Sequence, residues 1–263
     1  MKNPLISYII VILIMLSIVI LTPIKDVPKV EHLKTPLPAV NTPQYKEPFN
    51  VWNNVIVRVD DGPDIHTSEL VKTLKELGVK NAIFGLIGRN IKNYPDTLPE
   101  ILNAGYTIAN HTYTHPRMHL KQVRSHYIRN PEQWRWQIAK TNDTIEEVLR
   151  SKGISYQCKV FCCPEVPNYL PPLLDEIVRE QGLIPDKGWD IDSCDSVHSH
   201  KRLNTEEIAY RIDKLSNKNC KIKILIHSRK GRWSDDLKEI DKILSNSKEG
   251  IARRLNNVKR EPI

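Results

Sequence analysis

The chain has 263 residues, 40% of them hydrophobic and 27% charged, with 10 glycines and 18 prolines; it can bury a sizeable core, and whole-chain disorder and a collagenous repeat are both excluded. The formal net charge is +8, of which residues 51–263 carry +6, a mild bias toward anionic partners such as cell-wall polymers. The basic residues form no block interleaved with aromatics, so no nucleic-acid partner is expected, and nothing in the sequence indicates a protein partner.

Between Lys2 and Lys25 lie 22 residues without a charge, and Leu5 to Leu21 is almost continuous Ile, Leu and Val. About 20 helical residues cross the ~30 Å hydrocarbon core of a bilayer. The run exceeds the apolar stretch of a cleaved signal peptide and no A-x-A-like site follows it, so residues 1–24 read as an uncleaved transmembrane anchor. Lys25, Lys29 and Lys34 outnumber Lys2, so positive-inside counting would put the body in the cytoplasm, and charge alone leaves the side open. Residues 25–50 read as a proline-rich tether, six prolines lying between Thr22 and Asn50 with no apolar periodicity. The five cysteines (158, 162, 163, 194, 220) include no C-x-x-C pair, and neither a zinc ribbon nor a disulfide framework is signalled.

From residue 51 the pattern alternates between periods of 2 and 3.6. Strands are predicted at Val55 to Val59, Ala82 to Leu86, Tyr106 to Ala109, Lys159 to Phe161, Gly188 to Asp192 and Ile222 to Ile226. Helices are predicted at Thr67 to Leu77, Thr97 to Asn103, Pro131 to Arg150, Leu170 to Glu180, Thr205 to Leu215 and Ser234 to Leu244. Repeated βα units predict an α/β fold with a parallel sheet, open or closed into a barrel, in one domain spanning 51–263. Asp60 and Asp61 follow the first strand, His111 and His115 the third, Pro164 the fourth, Asp192 the fifth and His227 the last. These are all C-terminal strand ends, the face on which functional groups converge in α/β barrels.

His111 and His115 are four apart, close enough for both imidazoles to reach one metal, and Asp60-Asp61 offers a third ligand beside a second carboxylate. Taken singly, each feature also has a bland reading: surface histidines, and good turn chemistry in Asp60-Asp61-Gly62-Pro63. Trp134 and Trp136 face apart on their helix, and His119, His198 and His200 read as solvated loop residues.

The combination resembles the polysaccharide deacetylases, carbohydrate esterase family 4. Its five motifs are matched in order by Val59-Asp60-Asp61-Gly62-Pro63, by Asn110 to Pro116, by Phe161-Cys162-Cys163-Pro164, by Trp189 to Asp195 and by Ile224-Leu225-Ile226-His227. The resemblance implies a distorted (β/α) barrel, a divalent metal, most often Zn2+, and hydrolysis of N-acetyl groups on amino-sugar polymers. It implies that Asp61, His111 and His115 hold the metal, that Asp60 is the general base and His227 the general acid, and that Asp192 orients His227. The backbone N–H of Glu165 would serve the oxyanion, and Pro164 and Ile224 would line the substrate pocket. A metal lowers the pKa of water and polarises a carbonyl, while an amide nitrogen leaves poorly unless protonated, so these residue types suit the chemistry.

Two departures stand out. The family's third motif carries an arginine that pairs with the base, where this chain has Cys162, and a tryptophan commonly follows the last aspartate of the fourth motif, where this chain has Ser196. The counter-charge is then missing unless another cation, such as Arg58 or Arg117, reaches Asp60. The resulting expectation is a membrane-tethered, metal-dependent N-deacetylase acting outside the cytoplasmic membrane on peptidoglycan, chitin-like chains or exopolysaccharide. The alternatives are a deformylase or deacetylase of a lipid-linked sugar, and a catalytically weakened glycan-binding protein.

Overall fold

A computed structural model describes residues 50–117, 130–165, 170–196, 202–216, 220–228 and 232–258. The predicted anchor at 1–24 and all of the predicted tether but Asn50 lie outside these residues, as do His119, His198 and His200. No helix among the described residues is long and apolar enough to cross a membrane.

The strands are β1 (Val55–Gly62), β2 (Asn81–Leu86), β3 (Thr107–Asn110), β4 (Val160–Cys162), β5 (Ile184–Asp186), β6 (Ile191–Asp192) and β7 (Ile222–His227). The helices are α1 (Thr67–Glu76), α2 (Gly88–Ile91), α3 (Thr97–Asn103), α4 (Pro131–Ser151), α5 (Pro172–Glu180), α6 (Thr205–Ser216) and α7 (Trp233–Val258). The strands form one sheet in the order β5-β4-β3-β2-β1-β7-β6, and every pairing is parallel, as the βα alternation requires. Helix α1 shows the local logic: Leu70, Val71 and Leu74 are buried while Lys72, Lys75 and Glu76 face outward. Gly78, at φ 75°, then ends it in the left-handed conformation that glycine adopts without strain.

The sheet is strongly curled. In a flat sheet β5 and β1 would lie four spacings apart, about 19 Å. Yet Asp186 of β5 is 3.4 Å from Arg58 of β1 and 2.5 Å from Lys223 of β7. Hydrogen bonding between β5 and β6 is absent among the described residues, so the expected barrel is an open half-barrel whose seam is crossed by side-chain ion pairs. Strand β5 was not predicted, and the strand predicted at 188–192 shrinks to Ile191–Asp192. The reason for the first is chemical: β5 reads Ile-Pro-Asp, and Pro185 lacks the N–H that a central strand needs, which an edge strand tolerates.

Two faces of the sheet follow from strand alternation. Val55, Val57 and Val59 of β1 and Ile222, Ile224 and Ile226 of β7 join the hydrophobic core beneath the helices. Arg58 and Asp60 of β1 occupy the concave face, and their register partners on β7 are Leu225 and His227.

Candidate active site

The register of β1 against β2 slips between Val59 and Gly62, and Asp61 sits at the slip with φ 72°. Neighbouring side chains in a regular strand point to opposite faces, whereas a bulge with a left-handed residue can return the second side chain to the side of the first. Both carboxylates consequently face one imidazole: His111 Nε2 lies 3.8 Å from Asp60 Oδ2 and 3.5 Å from Asp61 Oδ1.

His115 Nε2 is 3.1 Å from Asp61 Oδ1, and the ligand atoms of Asp61, His111 and His115 lie within 4.8 Å of one another. His111 Nδ1 lies 2.7 Å from the Cys162 carbonyl oxygen. A carbonyl can only accept, so this bond places a ring proton on Nδ1 and makes Nε2, which faces Asp61, the nitrogen available to a metal. One carboxylate and two imidazoles, one already oriented from behind by a backbone carbonyl, fit a divalent transition metal.

The loop carrying the histidines is bound to α4. Asn110 Oδ1 accepts the Thr112 N–H at 2.9 Å, and Thr112 Oγ1 accepts the His115 N–H at 3.1 Å. Gln137 Oε1 accepts the N–H groups of Tyr113 and Thr114, each at 2.9 Å, while its Nε2 donates to Thr114 Oγ1 at 2.7 Å. Asn110 Nδ2 in turn donates to the Ile138 carbonyl and Asn142 Oδ1.

Asp60 is buried, and it is paired. Arg58 Nε donates to both of its oxygens at 3.0 Å, and Arg58 Nη2 to Oδ2 at 2.6 Å. Residues i and i+2 of a strand share a face, so the arginine absent from position 162 is replaced from within β1. The Asp186 side chain and carbonyl, the Cys163 carbonyl and the Trp189 ring hold the guanidinium in turn. Burial works against a charge on Asp60, but the Arg58 guanidinium outweighs it and holds the carboxyl below its usual range. Space for that carboxylate comes from Gly85 of β2, where a Cβ would stand 2.4 Å from Asp60 Oδ1. Cys162 is buried nearby, and burial pushes its thiol pKa well up, so the thiol is neutral.

His227 lies opposite Asp60 in the parallel register of β7 against β1. The carboxylate on its Nδ1 is Asp195, at 2.6 Å, and this corrects the expectation for Asp192. Asp192 instead accepts the Cys194 N–H at 2.8 Å, shaping the turn that brings Asp195 back toward β7. Burial opposes a charge on His227, but the Asp195 hydrogen bond and charge prevail and raise its pKa.

Ile224 is also corrected. It pairs with Val57 on the core side, whereas Leu225, two residues before His227 and paired with Arg58, shares the concave face. Pro164 is buried at the end of β4, and Glu165 follows it with φ 57°. Ser196 is exposed. Sequence reasoning did not single out Gly85, Gln137, Asp195 or Leu225 for these roles. Alternation alone carries a signal for Leu225, since i−2 from a strand histidine is its own face.

Among the described residues, the non-glycine residues with positive φ are Asp61, Thr112, His115, Glu165 and Cys194. All lie at the C-terminal ends of strands or in the loops that follow them, the clustering of backbone strain expected where side chains must be aimed.

Comparison with known proteins agrees. Residues 53–166 match the family model for polysaccharide deacetylase. A peptidoglycan-N-acetylglucosamine deacetylase of Bacillus cereus is 34% identical over 139 residues, 52% of this chain and 42% of the relative, so the match spans less than half of that protein's length. Among solved structures, a family 4 carbohydrate esterase from Streptomyces lividans superposes with a TM-score of 0.56 at 24% identity, covering 74% of this chain and 89% of the other. A CE4 family pseudoenzyme from Bacillus anthracis gives 0.54 at 20%, covering 74% and 61%. At these identities the structural likeness establishes the fold.

Proposed function

Because this chain belongs to the polysaccharide deacetylase family, we propose that it hydrolyses N-acetyl groups on amino-sugar polymers, with peptidoglycan the first substrate to test. The observation that carries this reading is the pairing of both acid–base groups around one donor set. Asp60, held by Arg58, and His227, held by Asp195, flank the Asp61, His111 and His115 cluster.

A divalent metal, with zinc the best fit, would be held by Asp61, His111 and His115, where it supplies a lowered water pKa and a polarised acetyl carbonyl. Asp60 takes the proton of the attacking water. Arg58 keeps that carboxylate ionised and in one orientation through charge-assisted hydrogen bonds. The Glu165 backbone N–H donates to the oxygen that gains negative charge. His227 then gives its proton to the amine nitrogen as the C–N bond breaks, and Asp195 stabilises the imidazolium beforehand. Arg58 also answers the case for a weakened binder, since the counter-charge missing at Cys162 is present. The apolar segment before Lys25 supports a membrane tether, and the class of substrate supports a catalytic body outside the cytoplasmic membrane.

Acetate release from N-acetylated glycans by the full chain tests this. Asp60→Asn and His227→Ala are each expected to keep fold and metal and to lose about a hundredfold or more in kcat. Turnover at the unsubstituted level in either variant rejects the scheme.

A further inference from the structure

Asp195 accepts four hydrogen bonds. Oδ1 takes His227 Nδ1 at 2.6 Å and Ser193 Oγ at 2.9 Å; Oδ2 takes the His227 backbone N–H at 3.0 Å and the indole Nε1–H of Trp233 at 2.8 Å. Ser193 belongs to the turn of Asp195 and His227 to β7, whereas Trp233 arrives from the first residue of α7.

We propose that Trp233 is a positioning residue for the general acid, acting through Asp195 on His227; this rests on the acid–base reading above. The terminal torsion of an aspartate is soft, so a carboxylate held firmly at one oxygen can still swing the other. Oδ2 is held by the His227 backbone N–H, the longest of the four bonds, and by the shorter indole bond from α7; this second donor keeps the carboxylate from turning and keeps Oδ1 on His227 Nδ1. Indole suits the task because it donates only and has no acceptor to compete for the proton. The ring is itself fixed: Trp233 is 3% exposed, the Arg202 guanidinium lies 5.2 Å from its centroid, and Arg202 pairs with Asp236 one turn along α7. Removing the indole N–H leaves a buried carboxylate oxygen short of a donor and weakens its hold on the imidazolium.

The consequence is selective for the leaving group. Amide cleavage requires His227 to pass its proton to the departing nitrogen as the C–N bond breaks, leaving a neutral imidazole and a free amine. An aryl acetate expels a stabilised phenolate and needs no such proton. A residue acting through His227 therefore affects the first substrate and spares the second.

The test compares the full chain with Trp233→Phe on an N-acetylglucosamine oligomer and on 4-nitrophenyl acetate. The expected result is a tenfold or larger fall in kcat on the oligomer, with KM, metal content and aryl acetate hydrolysis changed less than twofold. No further loss on the oligomer is expected when the substitution is added to His227→Ala. Arg202→Gln, which leaves the indole in place and unclamps it, is expected to show the same selectivity by a smaller factor, and serves if the phenylalanine variant fails to fold. Equal losses on both substrates, or an additive loss in the His227→Ala background, overturn the proposal. If the unsubstituted chain releases acetate from no glycan, the acid–base reading itself fails. That outcome is told apart by the indole proton resonance of Trp233, which Asp195→Asn shifts wherever the bond exists.

Discussion

Arg58 and Cys162 show how a site can keep its electrostatics while exchanging the residue that supplies them. A guanidinium two residues before Asp60 on the same strand reaches it with three hydrogen bonds, and position 162 is left to a buried, neutral thiol. The pair is buried, so removing one partner costs roughly 3 to 5 kcal/mol, and Arg58→Lys is the informative variant because it keeps the charge and loses the fork. It is expected to lower kcat about tenfold. Arg58 holds the Asp60 pKa down, so weakening the pair raises that pKa. Activity needs the ionised base, so the acid limb of the pH–rate profile shifts to higher pH. Cys162→Ser is expected to match the unsubstituted chain in both measurements. An unshifted acid limb in the lysine variant, or a serine variant without activity, contradicts these roles.

At the level of elements, the loop that carries His111 and His115 is built as much by α4 as by β3. Gln137 binds two backbone N–H groups of the loop and one hydroxyl, holding the segment between His111 and His115, in which Thr112 and His115 are left-handed. Partners behind metal ligands are worth about 10- to 100-fold in affinity. Gln137→Leu is therefore expected to weaken zinc binding by that factor in a metal titration, with kcat at saturating zinc little changed. Unaltered affinity would show that the turns are self-supporting. Such contacts join residues 23 or more apart in sequence, which explains why periodicity placed both elements yet gave no hint of the bond between them. The corrected aspartate has a similar cause. Asp190 and Asp192 lie within one weak strand signal and Asp195 just beyond it; the strand ends at Asp192, and the hydrogen bond from Cys194 N–H back to Asp192 carries Asp195 onto His227. A strand end locates a neighbourhood, and the turn beyond it decides which carboxylate arrives.

Over the whole molecule, the parallel α/β architecture and the convergence of polar residues on one sheet edge were legible, because both follow from strand–helix alternation. The curl was expected only through the family resemblance, since alternation leaves the sheet open or closed, and the contacts that cross its open seam, from Asp186 of an unpredicted edge strand to Arg58 and Lys223, carry no signal in the sequence. That seam joins architecture to the site: the carboxylate that ties β5 to β1 and β7 is also one that holds the Arg58 guanidinium against Asp60. The central claim is that Asp61, His111 and His115 create a metal site on which glycan deacetylation depends. The most direct measurement is acetate release from an N-acetylated glycan by the full chain, stripped with a chelator and then titrated with zinc. The expected result is loss of activity on stripping and recovery at about one zinc per chain, with no recovery in His111→Ala or His115→Ala. Undiminished release from the stripped chain, or recovery in both alanine variants, would contradict it.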